Sequence, residues 1–199
     1  MNETAKPRYL LALSLLLALI LAACSAPAEA PPLKGSTIGG AFTLVDQNGH
    51  PATERNLAGR WRIFYFGFSH CPDACPTDLA VIAAGLRRFE KDAPGRAAKV
   101  VPVFVTVDPE RDTPPVMKEY VAAFHPRMLG LTGTPEQIAE TAKRFGIYYM
   151  KDPSSGAADY NMDHSRYAIL FGPAGEPIAF LPADKGAEAV AAELARWVK

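Results

Sequence analysis

Residues 61–68 read WRIFYFGF, apolar on both phases of a two-residue repeat and broken only by Arg62 and Gly67. A strand with one wet face alternates polar and apolar residues; a run such as this one must be covered on both sides. The chain therefore has to build a sheet with helices on each face. Residues 100–107 (VVPVFVTV) are a second run of the same kind, although Pro102 is awkward inside a central ladder. Between the two runs, Leu79, Ile82, Ala83 and Leu86 recur at helical spacing. Asp78 stands in the first turn and Arg87, Arg88 and Lys91 in the last, and Pro94-Gly95 ends the helix. Pro76 suits the first helical position and makes Cys75 the expected N-cap.

Further elements follow the same logic. Residues 42–45 read as a strand, Asp46-Gln47-Asn48-Gly49 as a turn, and the polar stretch to Gly59 as a loop. Thr113-Pro114 opens a helix, and Thr134-Pro135-Glu136-Gln137 is a capping box opening another. Residues 166–171 and 178–181 flank Gly172-Pro173-Ala174-Gly175 as an antiparallel hairpin, and Asp184 caps a last helix ending near Trp197. Strands that alternate with helices and close in a hairpin predict an α/β sheet of thioredoxin type: a central mixed sheet flanked by helices.

The N-terminus reads as an address. Lys6 and Arg8 precede residues 10–23, in which only Ser14 is polar. That is short of the ~20 residues a spanning helix needs, and it fits the apolar core of a secretory signal. The segment ends Leu21-Ala22-Ala23-Cys24, which resembles the lipobox of bacterial lipoproteins, with Cys24 as the acylated residue. Three parts follow: a signal peptide over 1–23, a lipid-anchored, Pro-rich tether over 24–34, and a folded domain over 35–199. The expected place is a bacterial cell envelope, on the periplasm-facing side of the cytoplasmic membrane. Lys+Arg and Asp+Glu both number 21, so the net charge is zero and no basic face is available for nucleic acid. Three cysteines are too few for a disulfide-dense scaffold or a Cys₄ zinc site.

With Cys24 lipidated, Cys71 and Cys75 remain for chemistry. They sit between a buried strand and the helix after it, three residues apart rather than the two of a thioredoxin redox motif. A thiolate at the helix start faces unpaired amides and the positive end of the dipole, which lowers its pKa. Such a pair can close a disulfide or chelate one soft metal ion. A purely structural bridge is disfavoured, because so small a loop constrains the unfolded chain little. Two sulfurs suit Cu(I), and a third ligand would allow Cu(II). His50 and His125 read as solvated loop residues, and His70 points away from the bite of its neighbour Cys71. His164 precedes the hairpin strand whose loop ends near the cysteines, and stands open between ligand and plain loop histidine.

FGFSHCPDACP (66–76), VDPERDTP (107–114) and MDHSRYAILFGPAGE (162–176) together resemble the Sco/SenC family over about residues 40–181. That resemblance implies a thioredoxin-like fold with an N-terminal strand extension, and copper bound by Cys71, Cys75 and His164, the first two forming a disulfide when oxidised. It also implies a part in assembling the Cu(A) centre of cytochrome c oxidase. The expected partners are the oxidase Cu(A) subunit, other copper chaperones and thioredoxin-like reductants. Asp108 is a candidate to support the site from outside, against the alternative that it caps its own turn. Asp163 is a candidate to orient His164. Tyr148, Tyr149, Met150 and Met162 read as packing. No turnover is expected. The enzyme alternative is a thiol–disulfide oxidoreductase acting on an oxidase subunit or a peroxide, for which His164 would be dispensable.

Overall fold

A computed structural model describes residues 29–152, 154 and 160–199; residues 1–23, expected to be a signal peptide, and Cys24 lie outside them. The chain divides into Met1–Ala30 and Pro31–Lys199, and the second unit carries all that follows. Its strands are β1 (Thr43–Asp46), β2 (Pro51–Thr53), β3 (Trp61–Gly67), β4 (Val100–Thr106), β5 (Leu129–Thr132), β6 (Tyr149–Lys151), β7 (Met162–His164), β8 (Ala168–Phe171) and β9 (Pro177–Leu181). The helices are α1 (Ala74–Asp92), the single turn α2 (Pro94–Ala97), α3 (Pro114–Ala122), α4 (Pro135–Arg144) and α5 (Ala187–Trp197).

Seven strands form one sheet in the order β2-β1-β5-β4-β3-β8-β9. β3 and β4 pair parallel, as do β4 and β5; the other pairs are antiparallel, so the sheet is mixed. β6 and β7 form a separate two-stranded ribbon. All seven residues of β3 are buried. Phe64 and Phe66 point into one layer with Phe145, while Tyr65 points into the other, beside Phe104 and Asp78 of α1. The double-sided burial expected of residues 61–68 is thus the middle of the molecule.

Several local expectations are met. The Thr134 hydroxyl accepts from the Gln137 amide, and the Gln137 side chain accepts from the Thr134 amide, so the capping box is complete. α3 begins at Pro114 after Thr113. Pro102 sits where the ladder is one-sided, since β5 pairs with β4 only from Val103 onward.

Others are corrected. α1 begins at Ala74 with Asp73 at its cap, which places Cys75 inside the first turn instead of at the N-cap. Pro76 then occupies the third helical position, where the amide has no intrahelical partner to lose. Asp184 does not cap α5; Gly186 does, at φ +90, and Asp184 lies in a 3-10 turn over Ala183–Lys185. The polar stretch before Gly59 holds β2 and a 3-10 turn over Glu54–Leu57, capped by Thr53 and Asn56. Asp78 is buried and ion-paired with Arg166, so it serves a partner rather than the helix dipole.

α1 and α5 cross at Gly85, where a Cβ would stand 2.6 Å from Val190 Cβ and 2.9 Å from the Ala187 carbonyl oxygen. Intrinsic propensity favours alanine in a helix by about 1 kcal/mol, but forcing two packed helices apart costs about 1–3 kcal/mol. With backbone among the atoms struck, packing wins. Gly85→Ala should lower the urea unfolding free energy by about 1–2 kcal/mol; a gain would mean the helices separate freely.

Candidate metal centre

The end of β3, the start of α1 and the β6–β7 ribbon meet at one point. β3 delivers the chain to Gly67 and Phe68, and the loop then carries Cys71 back toward α1. Gly67 is required here by close approach, since a Cβ would lie 2.8 Å from Cys75 Sγ. The Cys75 amide donates to Cys71 Sγ at 3.3 Å, a helix-start N–H aimed at sulfur. From the other side His164, the last residue of β7, brings Nε2 to 3.2 Å from Cys75 Sγ. The three donor atoms lie within 4.8 Å of one another.

His164 Nδ1 is 3.0 Å from the Ser165 carbonyl oxygen. A carbonyl only accepts, so Nδ1 carries a proton and Nε2 is the ring atom turned to the sulfurs. Phe68 and Tyr65 stand edge-on to the imidazole, with centroids at 5.9 and 6.4 Å, and hold the ring plane.

The sulfurs differ in charge. The Cys71 thiol is pulled down to about 3, first by the Cys75 thiol donating to it; His164 and the Cys75 and Asp73 amides add to this against the opposing effect of burial. The same bond, together with burial, pushes the Cys75 thiol up. Cys71 is therefore a half-buried thiolate and Cys75 a buried thiol that shares its proton with it. A metal ion taking both sulfurs would displace that proton.

The 107–114 loop grips both halves of this arrangement. Asp112, fully buried, accepts from the Ser69 amide (3.0 Å), the Ser69 hydroxyl (2.5 Å) and the Thr106 hydroxyl (2.6 Å), fixing the strand end that leads to the cysteines. Asp108 accepts from Arg111 and from the Tyr160 hydroxyl (2.6 Å), four residues before His164. Arg111 lies over the Tyr160 ring at 3.7 Å. Asp108 thus reaches the site through Tyr160, and Asp112 through Ser69. The Asp163 side chain is exposed and, by strand alternation, lies on the opposite face of β7 from His164.

The other candidates fall elsewhere. His50 is three-quarters exposed beside Asp46. His70 turns out to Ser69 Oγ, and His125 is buried against Glu90 and Arg127. Tyr149 pairs with His164 and packs on the core, whereas Tyr148 and Met150 are exposed. Sequence reasoning missed the Tyr65–Asp78–Arg166 cluster; its one signal was an acid three residues after Cys75, on the helix face that must be buried.

Two cysteine sulfurs and an imidazole form a soft, three-donor set. Bonds of about 2.0–2.3 Å to a first-row ion put three trigonal donors about 3.5–4 Å apart. The spread seen here closes onto such an ion with small side-chain movements.

Residues 30–199 match the SCO1/SenC family model. The chain is 45% identical over 145 residues to "Protein SCO1 homolog 1, mitochondrial" of Arabidopsis thaliana, a match covering 73% of this chain and 42% of that one. The curated relatives it matches are longer, and it spans 42–65% of their lengths. Its fold is similar to the copper-bound ScoI crystal structure from Arabidopsis thaliana (TM-score 0.74, 40% identity, 80% of this chain and 97% of that one). It is also similar to copper-bound ScoI from Bradyrhizobium japonicum (TM-score 0.72, 41% identity, 80% and 99%). The thioredoxin-like architecture expected from the sequence is the one these structures share.

Proposed function

Given that this chain belongs to the SCO1/SenC family, we propose that it is a membrane-tethered copper metallochaperone that serves the Cu(A) centre of cytochrome c oxidase. One observation carries the reading: Cys71, Cys75 and His164 put two sulfurs and an imidazole nitrogen within 4.8 Å of one another. Thiolates select Cu(I), and the imidazole suits copper in either oxidation state. A structural zinc site would want a fourth protein ligand, and among the described residues the cluster has three.

The chemistry of Cys71 and Cys75 supplies a release step. Exchange with a disulfide of a partner protein, through a mixed disulfide, would pass two electrons to that partner as two thiols, close the Cys71–Cys75 bond and remove both sulfur donors at once, so a bound ion would be left with His164 alone. A thioredoxin-like reductant would return the electrons and restore the site. Cys24 would carry the lipid, and the segment over 24–34 would let the domain over 35–199 reach an oxidase subunit in the same membrane. A second reading, thiol–disulfide reductase, draws support from the half-buried Cys71 thiolate, the form that attacks disulfides.

Copper binding separates the two. The reduced chain should bind one copper per molecule in competition with a chromophoric Cu(I) chelator, and the oxidised chain none. His164→Ala should weaken Cu(II) binding by at least about a hundredfold. Weak binding that ignores His164, with disulfide reduction intact, would replace the chaperone by the reductase.

A further inference from the structure

β7 is not hydrogen-bonded to the main sheet; its pairing is with the three residues of β6. His164 therefore stands at the end of a short ribbon, and something must hold it at a fixed distance from Cys75. Two residues further on, Arg166 reaches α1. Its Nε donates to Asp78 Oδ2 at 3.0 Å and its Nη2 to Asp78 Oδ1 at 2.8 Å. Asp78 lies one turn after Cys75 on the same rigid helix, and the Tyr65 hydroxyl donates to the same carboxylate at 2.8 Å. The Tyr65 ring in turn stands edge-on to His164. The helix that carries Cys75, the strand that backs the imidazole and the segment that carries His164 all meet at one carboxylate.

A two-pronged guanidinium–carboxylate pair is directional and fixes orientation as well as distance. Arg166 is 54% exposed but Asp78 only 9%, so removing the guanidinium leaves a buried carboxylate short of a partner and costs some global stability as well; what marks a positioning role is a loss that differs between the two copper states. We infer that Arg166, through Asp78, is the positioning residue for His164, and that it favours the copper state that needs the imidazole, Cu(II), over the Cu(I) state that two sulfurs can hold. The inference rests on the copper reading above. Tyr160 and Asp108 tie down the other end of the same segment, but four residues from the imidazole instead of two.

The test uses the full chain with Arg166→Ala and Arg166→Lys, each in the wild-type and the His164→Ala background. Cu(II) affinity comes from titration, ligand geometry from nitrogen hyperfine coupling in the Cu(II) EPR spectrum, Cu(I) affinity from chelator competition, and folding from thermal melts. Arg166→Ala should lower Cu(II) affinity by about ten- to a hundredfold, weaken the nitrogen coupling and leave Cu(I) affinity unchanged, while the melt falls modestly with the fold retained. Lysine, without the second prong, should recover little of the loss. In the His164→Ala background Arg166→Ala should have no further effect on Cu(II) affinity. Equal losses for both oxidation states, or an undiminished loss without His164, would overturn the inference and leave the copper site standing. Wild-type Cu(II) binding indifferent to His164 would overturn both.

Discussion

Iodoacetamide should alkylate Cys71 of the metal-free, reduced chain at a rate that stays flat from pH 5 to pH 8, and should leave Cys75 unmodified. An ordinary thiol with a pKa near 8.5 loses close to a thousandfold in thiolate over that range, about tenfold per unit at its lower end. Cys71, held at about 3 by the bond from Cys75, by His164 and by nearby amides, is already fully ionised at pH 5. Its thiolate fraction therefore cannot change. The sign of the effect matters more than its size at any one pH. A low pKa raises the fraction ionised at pH 6 by roughly 300-fold, but with a Brønsted slope near 0.4–0.5 it lowers the nucleophilicity of that thiolate by a similar factor. Comparison with a free cysteine at a single pH would show little, and the pH profile is the informative quantity. Cys75 is buried and its pKa is pushed up by the negative sulfur beside it and by burial. Peptide mapping after a short pulse should find label on Cys71 and none on Cys75. A rate that climbs tenfold per unit up to pH 8 would remove the charge asymmetry described for the pair.

Replacing Phe64 by alanine should cost about 3–5 kcal/mol of stability, the range for a large aromatic removed from a closed core. Its ring is 2% exposed and stands 4.8 Å from Phe145, 5.5 Å from Phe171, 5.9 Å from Phe42 and 6.5 Å from Phe66. These partners come from opposite ends of the chain, Phe42 just before β1, Phe145 at the end of α4 and Phe171 on β8, so no single segment can slide in to fill the space. The loss is large against a total stability of about 5–15 kcal/mol for a domain of this kind. The measurement is urea unfolding followed by circular dichroism, with the midpoint moving and the slope held. Phe64 points to the side of β3 away from Tyr65 and Gly67, so the folded fraction of the variant should keep wild-type copper affinity. A loss below about 1 kcal/mol would mean that the aromatic layer collapses around the gap.

Elements whose determinants are local could be read from the chain. The doubly apolar runs at β3 and β4, the Thr134 box and the Gly172–Gly175 turn each declare themselves within a few residues, and each stands where expected. β5 and the β6–β7 ribbon escaped because they are three or four residues long and mean nothing until a partner is beside them. The cap of α1 was misplaced for a similar reason: Pro76 is compatible with several early helical positions, and only the path of the loop from Phe68 decides among them. At the site, the cysteine spacing and its place between strand and helix were legible, whereas His164, the one histidine of four not set aside, stood open between ligand and plain loop residue until a family pattern singled it out. Of the residues that connect the two sides, Asp108 could be named as a candidate, but none of the partners could be inferred. Asp78 pairs with Arg166 and Asp108 with Tyr160 across long stretches of sequence, and such pairs leave no periodic trace.

The pairing of β3 carries a consequence for when in the life of the chain this centre comes into being. Phe64 lies in register with Val103 on one side and with Ile169 on the other. Contacts so distant along the chain form slowly, because long loops must close before any pairing repays them. β8 and His164 lie in the last fifth of the sequence, so during synthesis the cysteines emerge well before the imidazole that completes their set. A chain halted before residue 160 would present two sulfurs with neither the histidine nor the antiparallel neighbour that shields β3. Metal binding by way of the complete three-donor site therefore waits until the polypeptide has been made through His164 and the sheet has closed, which ties it to the end of folding.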